Sequence, residues 1–154
     1  MIQRIQTVYL LLVAVLAAIV CFLPVAAIQT SANIFDLTYK GFVATPPTTA
    51  LQINTLPFTI LSALIPLTAL GTIFAFKKRR LQMSLCIINF LLMDAYYIVM
   101  IASLWFADNR LALSSTWVYH FAAILPVVNM ILSLLAYKSI QKDDKLVRSL
   151  DRLR

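Results

Sequence analysis

Glycine is nearly absent from this chain, with two residues in 154, and acidic side chains number six. So little glycine leaves no Gly-rich phosphate loop, and so few acids leave no paired carboxylates on one helix face and no His-Glu-x-x-His metal motif. The two cysteines fall at different depths, Cys21 near the end of the first apolar run and Cys86 near the start of the third. That separation excludes a disulfide or a shared metal site between them, and leaves small apolar packing as their use. Ser103, His120 and Asp94 supply the residue types of a nucleophilic triad, but their positions along the chain keep them apart. No enzyme activity, cofactor or metal is expected.

What the chain has instead is apolar length. Hydrophobic residues make up 62% of it and charged residues 12%, with mean hydropathy +0.89. A soluble domain of that composition would precipitate. The runs 7–28 and 56–76 hold no charge, the run 81–107 holds only Asp94, and 111–137 holds only His120. Crossing a ~30 Å hydrocarbon core takes ~20 helical residues, so each run suffices. The expected fold is an all-α integral membrane protein with four transmembrane helices at about 7–28, 56–76, 81–106 and 117–137. An outer segment, 29–55, and a tail, 138–154, complete a single membrane domain. Arg4, the first apolar run and Val25-Ala26-Ala27 have the outline of a signal peptide, but the run exceeds a signal core, so an uncleaved helix is expected.

Charge sets the orientation. Of thirteen basic residues, eleven fall on one side: Arg4, Lys77, Lys78, Arg79, Arg80, Lys138, Lys142, Lys145, Arg148, Arg152 and Arg154. Only Lys40 and Arg110 fall on the other, each with an acid nearby, Asp36 and Asp108. By the positive-inside rule both termini are cytoplasmic. The net charge of +7 is thus a property of the inner face and implies no nucleic acid.

Helix boundaries follow from local chemistry. Thr55 offers an N-cap ahead of Pro57, and Ser114, Ser115 and Thr116 offer caps for the fourth helix. Trp105 and Trp117 suit the headgroup zone beside the outer turn, and Tyr137 suits the inner border. Pro24, Pro66 and Pro126 are candidate kinks in three helices.

The outer segment alternates. Phe35, Leu37, Tyr39 and Val43 fall on one face and Asp36, Thr38 and Lys40 on the other; after Pro46-Pro47 the pattern resumes at Leu51 and Ile53. A small extracytoplasmic β-hairpin between helices 1 and 2 is expected, capping the bundle in preference to docking a partner. In the tail, Leu146, Val147, Leu150 and Leu153 recur at helical spacing among basic residues, and Asp144 precedes Arg148 by four. This amphipathic helix suits the anionic inner leaflet, or a cytosolic partner.

Within the apolar runs Asp94 stands out. A carboxyl near the middle of a membrane helix should face protein or water. Two uses fit it: a proton or cation site, or a hydrogen bond to a neighbouring helix, with the structural use preferred. Asn129 lies at similar depth, and Pro66 frees the carbonyl of Ser62 as an acceptor. Asp94, Asn129 and Asn89 form the candidate intramembrane polar site. Ser84, Thr68 and Thr72 are suited to tying helices together. His120 lies ~13 Å from the depth of Asp94, too far for a couple, and is expected to be solvated. Tyr96 and Tyr97 fill space beside Asp94 or line a cavity.

Three stretches resemble one family. They are Met1-Ile2-Gln3-Arg4-Ile5-Gln6-Thr7-Val8-Tyr9-Leu10; Lys77-Lys78-Arg79-Arg80-Leu81-Gln82-Met83 with Cys86 and Asn89; and Asp144-Lys145-Leu146-Val147-Arg148-Ser149 with Asp151-Arg152-Leu153-Arg154. They look like the small four-helix bacterial membrane proteins catalogued as domain of unknown function 4293. The resemblance spans the chain and implies a full-length, unprocessed protein of a Gram-negative inner membrane. It implies no activity. It directs attention to the cytoplasmic residues Arg4, Lys77, Lys78, Arg79, Arg80, Lys145, Arg148, Arg152 and Arg154 as a docking surface. The expected role is a non-enzymatic accessory or scaffold subunit in the lipid bilayer. It would bind another inner-membrane protein or complex for transport, protein translocation or envelope assembly. The alternative is a small oligomeric transporter or channel using Asp94 and Asn129.

Overall fold

A computed structural model describes residues 2–31, 33–45, 53–111 and 115–151. Four long helices make the body: α1 (Ile2–Phe22), α2 (Leu56–Phe74), α3 (Arg79–Leu111) and α4 (Leu125–Asp151). Each is long and apolar enough to cross a membrane. They form a closed ring in which each helix packs on its sequence neighbours and α1 packs on α4. The start of α1, the end of α4 and the α2–α3 connection therefore lie at one end of the bundle.

The ring closes through one seam. Buried positions recur at alternating spacings of four and three: Gln6, Leu10, Val13, Ala17 and Val20 in α1, and Phe58, Ser62, Ile65, Ala69 and Thr72 in α2. The same rhythm gives Gln82, Cys86, Asn89, Met93, Tyr96, Met100, Ser103 and Ala107 in α3. In α4 it gives Ala122 just ahead of the helix, then Pro126, Asn129, Ser133, Ala136, Ile140 and Asp143. A sustained seven-residue repeat keeps one stripe of each helix on the axis with a left-handed wrap. Small and polar side chains fill much of the stripe, while Leu, Ile and Phe point outward, among them Phe22, Leu67, Phe74, Ile98 and Phe121. Small residues let the backbones approach closely, which supplies dispersion contacts where large ones would hold them apart.

A four-stranded antiparallel sheet covers the other end. Its strands are β1 (Ala26–Gln29), β2 (Ile34–Thr38), β3 (Gly41–Thr45) and β4 (Thr116–Tyr119), in the order β3-β2-β1-β4. The expected hairpin exists but is built differently. The chain turns at Tyr39-Lys40, so Phe42 and Ala44 pair with Leu37 and Phe35 on the inner face and Val43 points out. Gly41 makes the turn at φ +108, and a Cβ there would stand 2.7 Å from the Thr55 hydroxyl oxygen. Leu51 of the expected second strand lies outside the described residues, and Ile53 belongs to no strand.

Helix boundaries need correction at the sheet. The apolar run 7–28 is not one helix: α1 stops at Phe22, and Ala26–Gln29 is one of the two inner strands of the sheet. Pro24 is the reason, since it biases the residue before it away from helical geometry and so separates helix from strand without kinking either. The fourth helix does not begin at 117, because Thr116–Tyr119 pairs with β1. Thr116 is therefore a strand residue rather than a cap, and the Ser115 hydroxyl donates to Asp108; Ser114 lies outside the described residues. Pro126 is the second residue of α4, where the missing N–H costs nothing, so Pro66 is the proline inside a helix. Thr55 occupies the N-cap of α2, but its hydroxyl caps nothing; the Asn54 side chain accepts from the Leu56 N–H at 3.1 Å. At its far end α4 runs without a break to Asp151, so the tail continues the fourth helix rather than forming a separate one.

Candidate functional site

The candidate polar residues divide between two faces. Asn89 is buried on the α3 seam, where the Thr68 hydroxyl of α2 approaches its Oδ1 at 3.5 Å. Asn129 is buried on the α4 seam, and its Oδ1 has no hydrogen-bond partner; the Ser133 hydroxyl, one turn on, has none either. Asn129 lines a cavity of about 10 Å³ together with Cys21, Ser62, Tyr96 and Pro126, which is room for about one water.

Asp94 joins neither asparagine. It follows the seam residue Met93 by one position and is exposed on the outer surface of α3. It is the sixteenth of 33 helical residues, ~24 Å along the axis from either end. Its surroundings on that face are the exposed Leu91 and Ile98. Asp94 is thus not held between the helices of this chain, because one residue of helix is a 100° turn and carries it off the seam. The Ser62 carbonyl released by Pro66 is taken by the Cys21 thiol, which donates to it at 2.8 Å. Of the adjacent tyrosines, Tyr96 packs on Phe58 with ring centroids 4.7 Å apart, and the Tyr97 hydroxyl donates to the Ala123 carbonyl.

The seam between α1 and α4 is pinned at both ends by polar contacts that the sequence did not announce. At the sheet end β1 pairs with β4 from Ala26↔Tyr119 to Gln29↔Thr116. The His120 N–H extends the ladder to the Val25 carbonyl at 3.1 Å, and its Nε2 lies 3.0 Å from Asp36 Oδ1. His120 is thus partnered rather than merely solvated, because β1 brings β2 and β4 to its two edges. At the basic end the Gln6 amide donates to Asp143 Oδ2 at 2.5 Å and to the Ser139 carbonyl at 3.2 Å. Arg79 reaches over from α3 to the Asp143 carbonyl at 3.3 Å. Gln6 and Asp143 are both buried, and each sits at a seam position. That placement was the available signal.

The basic docking candidates collect at that same end. Lys78, Arg80 and Lys145 are exposed and Arg79 is half-buried. Arg4 lies in the first turns of α1, Lys77 in the 3₁₀ turn before α3 and Arg148 in the last turns of α4. Arg152 and Arg154 lie outside the described residues.

With this arrangement in view, comparison with known proteins places the chain. The family model described as domain of unknown function (DUF4293) matches residues 2–153, and the chain belongs to that family. No curated protein and no solved structure matches it.

Proposed function

We propose that this member of the DUF4293 family is a multi-pass protein of the bacterial inner membrane, with both ends in the cytoplasm. It serves there as a non-enzymatic subunit of a larger membrane assembly. Support for insertion comes from the outward-facing Leu, Ile and Phe side chains, which in water would form an exposed apolar surface far beyond that of a soluble monomer. Support for orientation comes from the basic residues that the start of α1, the α2–α3 connection and the end of α4 carry at the end opposite the sheet.

The observation that carries the subunit reading is the exposed carboxyl of Asp94 at the midpoint of α3. At the centre of a bilayer an aspartate costs ~2.5–3.5 kcal/mol, and its single methylene is too short to reach the headgroups. A second polypeptide supplying a hydrogen-bond donor over Leu91, Asp94 and Ile98 would remove that cost, whereas lipid cannot. The transport alternative has less behind it. Asp94 faces out and Asn129 is buried on the seam, so the two share no path; an oligomeric pore between copies could use Asp94 but not Asn129.

A photo-activated cross-linker at Ile98, used in intact cells, tests the reading. The expected product is a covalent adduct with a different membrane protein, lost or reduced about tenfold in Asp94→Leu. Adducts with lipid alone would sink the proposal. Adducts with a second copy alone would move the weight to the oligomeric transporter, which reconstituted vesicles would then test for ion flux.

A further inference from the structure

The two edges of the sheet are finished differently. An edge strand presents a row of unpaired N–H and C=O groups, and natural proteins blunt such edges with charge, proline or cover. β3 forms one edge, and in the sequence it is bounded by Lys40 and by Pro46-Pro47. β4 forms the other, and Thr116-Trp117-Val118-Tyr119 carries neither charge nor proline. Backbone groups alternate between the two sides of an antiparallel strand. The His120 N–H points to β1, where it meets the Val25 carbonyl, so Val118 and Thr116 point there too. Trp117 and Tyr119 therefore aim their N–H and C=O groups at the open side, where no strand among the described residues pairs with them.

Lipid hydrocarbon cannot meet these groups, and an extended polypeptide can. The strand is complementary to itself. Laid antiparallel about a two-fold axis at Val118, a second copy of β4 puts its Tyr119 opposite Trp117, its Trp117 opposite Tyr119, and valine opposite valine. Each Trp–Tyr pair then exchanges both N–H···O=C bonds, because both residues face the open side. Aromatic and β-branched neighbours are favoured across strands, and no like charges meet. Val118, Tyr119 and, two residues on, Phe121 are exposed, which supplies apolar surface for a copy to cover.

The placement of the sheet suits such a pair. Ile28, Phe35 and Leu37 on its inner face share one core with Phe58, Leu104 and Ala107 near the helix ends. The sheet thus lies across the end of the bundle, and a two-fold axis normal to it runs along the helices. Two copies joined in this way point in the same direction, as two molecules in one membrane must.

We propose that β4 is a homodimerisation edge, through which two copies of this chain pair antiparallel and join their four-stranded sheets into one. This surface is separate from Leu91, Asp94 and Ile98, so the pairing and the subunit reading can each fail alone.

The test uses the full chain reconstituted at low density in phospholipid vesicles and oxidised with copper phenanthroline. Across the axis the two Val118 Cα atoms form a non-hydrogen-bonded pair ~4.5 Å apart, within disulfide reach. Trp117 stands ~8 Å from its own copy, and Tyr119 likewise, which is beyond that reach. Val118→Cys should therefore form a disulfide-linked dimer at least about tenfold faster than Trp117→Cys, Tyr119→Cys or the wild type with Cys21 and Cys86. Further dilution with lipid should leave its yield unchanged. Adding Tyr119→Pro deletes an N–H that the β1 ladder does not use, so helicity should stay while cross-linking falls at least about tenfold. Val118→Cys cross-linking no faster than the two neighbouring positions, or only in proportion to protein density, overturns the proposal. So does cross-linking that survives Tyr119→Pro, since the pairing would not then run through the edge backbone. If the proline variant loses its helicity, the cysteine scan decides alone. In intact cells, a Val118→Cys disulfide to a different protein with none between copies would likewise overturn it.

Discussion

The two ends of the α1–α4 seam are fastened by different chemistry. At the sheet end the helices are tied through backbone: β1 leaves α1, β4 leads into α4, and the two strands pair directly. At the basic end the tie is made of side chains, Gln6 to Asp143 and Ser139, with Arg79 bracing from α3. A backbone ladder depends little on which residues form it, provided each retains its N–H and fits the space. A side-chain latch depends wholly on identity, because a buried donor and acceptor must both be present or both absent. The sheet end should thus tolerate side-chain changes that the basic end cannot.

The largest effect should come from attacking the ladder itself. Ala27→Pro removes an N–H from the inner strand β1 and should cost ~3 kcal/mol or more, read as a loss of unfolding free energy in mixed micelles. A variant as stable as wild type would mean that the sheet does not hold the helices. Next should come the latch. Gln6→Leu leaves the buried Asp143 carboxyl without its partner and should cost ~1–3 kcal/mol. Adding Asp143→Leu should restore much of that loss, and additive costs in the double-mutant cycle would show that the two side chains do not cooperate. The smallest effect should come from His120→Phe. The imidazole and the Asp36 carboxylate are 36% and 28% exposed, so solvent screens the contact and its loss should cost under ~1 kcal/mol. A loss as large as that of Gln6→Leu would erase the distinction between the two ends.

Particular residues show where sequence reading reaches and where it stops. The helices were legible because uncharged runs of helical length have few other uses. The first run misled because apolarity continues through Val25, Ala26, Ala27 and Ile28, and a strand buried on both faces is as apolar as a helix. Pro24 was the readable signal there, and Thr116-Trp117-Val118-Tyr119, rich in β-branched and aromatic residues, was the corresponding one at the start of α4. Asp94 misled for another reason. Hydropathy reports depth and says nothing about facing. Gln82, Cys86, Asn89, Met93 and Ser103 trace the seam at seven-residue rhythm, and Asp94 stands off it.

The amino-acid sequence by itself determined four apolar helices, the confinement of eleven of thirteen basic residues to three stretches of the chain and the membership of a family, because length, charge and local pattern are properties of the chain. Tertiary structure alone decided that β1 and β4, some ninety residues apart, share a ladder, and that Gln6 closes on Asp143. It alone turned Asp94 outward. Each of these depends on which stripe of a helix meets its neighbour, and that is settled by packing among all four helices together.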